Sequence, residues 1–201
     1  MKKIIRIILT ITLIALAASC SKKQESAPAA ADQQEKAPTT IDRFIGVFLD
    51  NNLSEKDKET RLLSICAEIE KEENVTENIK SALHQCTQEA VDAIVAGNRG
   101  AVPRITSTSY ALNNLVGELD ARGIIKSEEL LEFVQTDTAP LLKEAAAKLT
   151  DLIEEAEKSG NKFLISDCLT RAEEIGIGAF SPDQLERIEK VAQRVKSSGQ
   201  F

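Results

Sequence analysis

Few residues of this 201-residue chain are placed to do chemistry, and its four cysteines are the clearest of them. Cys20 stands at the end of an apolar run, directly after the small residues Ala17, Ala18 and Ser19, which is where an export signal is cut. Cys66 and Cys86 fall on apolar helical stripes on either side of an expected turn near Asn74 and Val75. An antiparallel hairpin about that turn sets them face to face, which makes them a candidate disulfide in an oxidising compartment. Two buried thiols packing as small apolar side chains are the alternative. Cys168 has no assigned partner and reads as a core thiol.

The single histidine, His84, precedes Cys86 by two positions. Residues two apart on a helix do not share a face, so the pair makes neither a metal site nor a nucleophile and base. Glu68, Glu70, Glu72 and Glu73 read as solvated helix faces rather than acid-base pairs. The chain has no Gly-rich phosphate loop, zinc motif or nucleophile elbow. The expectation is a protein that is not an enzyme, with no catalytic residue, metal or cofactor. One run departs from an ordinary surface: Thr106, Ser107, Thr108, Ser109 and Tyr110 place five hydroxyls in succession, including the only tyrosine. They are a candidate interaction surface, with a helix entrance that satisfies its own backbone groups as the alternative.

The first elements position Cys20. Lys2, Lys3 and Arg6 form a cationic start, and the apolar run from Ile7 to Ala18 is shorter than the roughly 20 residues a spanning helix needs. Cleavage is therefore expected rather than retention.

The segment Leu16-Ala17-Ala18-Ser19-Cys20 resembles the lipobox of bacterial lipoproteins. That resemblance implies removal of residues 1–19, lipidation of the Cys20 sulfur and acylation of its new amino terminus. The family prefers Leu, Val or Ile three residues before the cysteine, and here Ala17 holds that place. Ordinary signal peptidase cutting after Ala17 or Ser19 is the alternative. Several acyl chains hold a protein firmly, since each buried methylene adds ~0.8 kcal/mol and one chain alone is marginal. The resemblance also implies, with Ser21 rather than Asp next to Cys20, the outer membrane of a Gram-negative cell, or otherwise the outer face of the cytoplasmic membrane.

Residues 20–40 then read as the lipidated cysteine and a tether. The stretch from Ser21 to Thr40 is rich in Ala, Pro, Gln, Ser and Lys and lacks large apolar side chains, a composition that cannot offset the cost of chain ordering. A flexible linker of about 20 residues has a typical reach of roughly 25 Å.

Residues 41–201 are long enough for one domain. They hold 29 acidic against 19 basic residues, a net charge of −10. Such a surface repels phosphate backbones, so nucleic acid is excluded as a partner. Apolar residues recur at helical spacing between capping residues and glycines, without strand-like alternation. The expected fold is all-α, an irregular multi-helix bundle or stacked helical hairpins of about eight helices. These begin near Thr40, Ser54, Val75, Pro103, Ser127, Pro140, Leu164 and Ser181, with a break at Asp137-Thr138 before the sixth. The functional expectation is a membrane-anchored envelope lipoprotein whose non-catalytic helical domain meets a protein partner. A small lipophilic ligand held between helices is the alternative.

Overall fold

Polar side-chain caps set half of the helix starts. In the computed structural model, which describes residues 38–197, the hydroxyl of Thr39 accepts from the amide of Asp42 at 3.1 Å while the Asp42 carboxylate accepts from the Thr39 amide at 2.9 Å. This reciprocal pair opens α1 (Thr40–Leu49). Ser54 caps α2 (Glu55–Ile69) and Asn161 caps α7 (Lys162–Ile175) through side-chain oxygens that accept from the amides of Asp57 and Leu164. Ser181 and Gln184 form the expected capping box before α8 (Pro182–Ser197), with Pro182 in the first helical position. Between them run α3 (Val75–Ala96), α4 (Val102–Ala121), α5 (Ser127–Phe133) and α6 (Ala139–Ser159). A single 3-10 turn, Ile177–Ala179, precedes α8. The described residues contain no strand, and the fold is all-α with eight α-helices among them.

The expected break before α6 is a widened turn instead. Val134–Thr138 form a π turn, so α5 passes into α6 without leaving helical backbone. Pro140 has no amide hydrogen, and its ring presses on the carbonyl four residues back. The wider turn relieves that crowding, with the Ala139 amide bonding to the Val134 carbonyl. Thr136 and Thr138 also donate their hydroxyls to the carbonyls of Glu132 and Val134 at 2.9 and 2.7 Å.

Packing divides the apolar side chains into two clusters that share α3. Ile79, Leu83 and Cys86 of α3 join Phe44, Ile65, Ile69, Leu112, Leu115 and Leu119 in the first, which α1, α2, α4 and α5 complete. Val91 and Ile94, further along α3, join Leu149, Ile153, Ile165, Cys168 and Val191 in the second, built by α6, α7 and α8. Wholly buried leucines such as Leu115 and Leu149 contribute about 1.5–3 kcal/mol each.

Helix α1 runs antiparallel to α2: Thr40 donates to Glu72 just past its end, and Arg43 holds Glu68 at 2.7 Å. Arg187 and Arg194 of α8 meet Glu154 and Glu157 of α6 in rising order, at 2.7 and 2.6 Å, so these two helices run parallel. The expected hairpin of α2 on α3 is not formed. The partners of α2 are α1 and α4, while α3 lies against α4 and α6.

Candidate functional site

The spacing of Phe44 and Phe48, one turn apart on α1, puts both rings on one side of that helix. Phe44 is buried and stacks on Phe48 with centroids 6.2 Å apart. Phe48 in turn meets Tyr110 of α4 edge-on at 5.6 Å, a favoured aromatic geometry. Beside this row lies an open groove of about 320 Å³, with Phe44 and Phe48 as its floor. Glu55, Lys58, Glu59, Leu62, Leu63 and Cys66 form the α2 wall, and Asn114 and Glu118 the α4 wall. Leu63 and Tyr110 remain 46% and 55% exposed beside this apolar floor. Three of the chain's seven aromatic residues are gathered here.

A second cleft of about 600 Å³ opens at the start of α1 and is walled by Ser81, Gln85 and Glu89 of α3 and by Arg104 and Thr108 of α4. Its polar groups are engaged with each other. Arg104 binds Glu89 at 3.1 Å, Gln85 donates to Glu89 at 3.2 Å, and Glu72 accepts from Thr40.

The hydroxyl run does not form one surface. It lies inside α4, where five consecutive residues wrap more than a full turn. Thr108 faces the second cleft, Ser109 is buried, Tyr110 points out beside the aromatic groove, and Thr106 and Ser107 are half-buried.

Cys66 and Cys86 are free and buried, and the candidate disulfide is absent from the structure. They touch opposite ends of α4. Cys66 shares the groove with Glu118, whereas the Cys86 thiol approaches the Ile105 carbonyl at 4.0 Å. The two thiols thus face different stretches of α4, and each is free. Burial pushes all three described thiols up, that of Cys86 to about 11, so they are held protonated. Cys168 is wholly buried, as its apolar stripe suggested. Cys20 lies outside the described residues, as do residues 1–37 altogether.

His84 does find a partner that the sequence does not show. Its Nδ1 lies 2.5 Å from an Asp137 carboxylate oxygen, 53 residues away in the π turn. Nearby, the carboxylates of Glu129 and Glu132 help hold the Lys80 ammonium charged, though its direct partner is Glu77 at 2.8 Å. The pair ties α3 to the α5–α6 junction, with both side chains near half exposure.

A partly buried ionic cluster lies at the other end of α3. Arg171 of α7 donates to Asp167 and to the Val95 carbonyl, and Arg99 reaches the same Asp167 at 2.9 Å. Glu174 is buried beside them, and burial pushes its carboxyl up against the pull of Arg99 and Arg171. Arg99 and Arg171 converge on Asp167 and so tie the loop between α3 and α4 to α7.

No protein-family model matches this chain, and no curated protein or solved structure matches it. Its function is therefore argued from its own surface. Among the described residues no three His, Cys, Asp or Glu side chains stand together as a metal site, and no helix is long and apolar enough to cross a membrane. The aromatic groove is the feature that the sequence reading missed. Its signal is the one-turn spacing of Phe44 and Phe48, of which Phe44 is buried and Phe48 only partly so.

Proposed function

We propose that this chain is a membrane-anchored envelope lipoprotein whose helical domain binds another protein through non-catalytic contacts. The observation that carries the reading is the groove between α2 and α4, where Leu63 stays exposed over a floor of Phe44 and Phe48 and the exposed Tyr110 packs edge-on against Phe48. Exposed apolar surface of this kind has a cost in water that a partner removes. Aromatic side chains are also over-represented among the residues that dominate binding energy. The lipobox-like segment ending in Cys20 supplies the anchor, and the stretch from Ser21 to Thr40 the reach. Ser21 favours the outer membrane in a Gram-negative cell. The reading of a small lipophilic ligand draws less support, because the larger cleft mixes apolar side chains such as Ile41, Ile45 and Leu112 with charged and amide groups that pair with each other.

A photoreactive residue at Leu63, compared with one at exposed Phe163 on α7, tests the interaction in cells. A discrete protein adduct from position 63 and none from 163 is expected. Adducts of equal pattern from both positions, or none from either, sink the reading. Replacing Cys20 by Ala tests the anchor, and continued retention in the membrane fraction counts against it.

A further inference from the structure

We infer that the groove between α2 and α4 takes an amphipathic helix of a partner protein, about three turns long, with an apolar face and lysine or arginine along its flank. This deepens, and rests on, the reading of the domain as an interaction module. The shape supports a helix. The groove-lining residues of α2, Glu55, Lys58, Glu59, Leu62, Leu63 and Cys66, form one continuous stripe. Eleven residues of helix separate its ends, or about 17 Å, the length of three helical turns. Its floor is apolar and aromatic, and Leu63 on the α2 wall is exposed to the apolar face of an incoming helix.

The charge supports a basic flank. Glu55 and Glu59 stand one turn apart on the exposed edge of α2, opposed locally by Lys58. On the opposite wall Glu118 is already neutralised by Arg122 at 2.8 Å. The groove-lining residues of α2 therefore keep one net negative charge, within a domain whose net charge is −10. Such a field draws a cationic partner in and repels an acidic one.

The chain carries its own reporter. Tyr110 is the only tyrosine and there is no tryptophan, so intrinsic emission comes from the edge of the groove. The full-length chain carrying Cys20→Ala is titrated with three synthetic peptides of about 14 residues: a Leu/Lys peptide of amphipathic pattern, the same pattern in Leu/Glu, and a Leu/Lys peptide with the order scrambled. The expected result is saturable binding of the first with a change in Tyr110 emission, at an affinity about tenfold or more above the other two. Leu63→Ser is expected to weaken it about tenfold, and Glu59→Gln about two- to fivefold with a smaller salt dependence.

No saturable binding up to about 100 μM overturns the proposal, as does binding that leaves Tyr110 emission and the Leu63→Ser variant unaffected. Equal affinity for the Leu/Glu peptide overturns the basic flank. Self-association of the peptide-free chain that Leu63→Ser abolishes assigns the groove to a second copy, and also overturns it. If the peptides fail while position 63 still gives a discrete adduct in cells, the interaction reading stands and only this partner chemistry falls.

Discussion

The Arg171 guanidinium lies against Gly97, and a Cβ at position 97 would stand 3.0 Å from its central carbon. From that position Arg171 donates to the Val95 carbonyl at 2.9 Å, closing the last turn of α3 from a residue 76 positions further along the chain. Gly97 itself is left-handed, with φ near 70°.

Gly97→Ala therefore meets two costs, a backbone conformation that disfavours side chains by about 1 kcal/mol and a contact that displaces the guanidinium. Thermal unfolding is expected to show a Tm lower by about 3–10 °C. In an Arg171→Ala background the same change should cost less, because only the backbone part remains. Equal losses in both backgrounds would show that the contact is incidental.

Glu174 gives the domain a pH dependence. Burial holds its carboxyl above the ordinary value of 4.5, so the folded state binds this proton more tightly than the unfolded chain does. Stability from this group is then present at low pH and lost as the pH rises from the ordinary value through the raised one. Glu174→Gln is expected to be more stable than the parent at about pH 7 and to lose that advantage near pH 4. A variant weaker than the parent at neutral pH would mean that the pull of Arg99 and Arg171 outweighs burial.

The three buried thiols are expected to be silent until the domain unfolds. With Cys20 replaced by Ala, a thiol reagent at mild alkaline pH should react negligibly with the native protein and then count Cys66, Cys86 and Cys168 as free in denaturant without reductant. A count lower by two would restore a disulfide.

Local signals proved sufficient for the helices. Capping by Thr39, Ser54 and Ser181, the stop at Gly97 and the stripes on α3 and α6 act within a few residues, so they are written in consecutive sequence. The break at Thr138 failed because Pro140 forbids one hydrogen bond without specifying whether the chain turns away or widens by one residue. Packing against α3 and the threonine hydroxyls favour the widened turn.

What the sequence by itself determined is the all-α class, the helix boundaries and the acidic surface, together with the lipobox-like segment on which the Cys20 proposal rests. Partners across the fold belong to the tertiary structure alone. A stripe on a helix says that it is buried but not against what. Cys66 and Cys86 share an apolar pattern yet meet opposite ends of α4. His84 finds Asp137 only because α3 lies along the α5–α6 junction. Phe44 and Phe48 become a groove only when α2 and α4 rise on either side of them. Helical periodicity is set by neighbours one turn away, whereas these meetings depend on crossing geometry between helices dozens of residues apart.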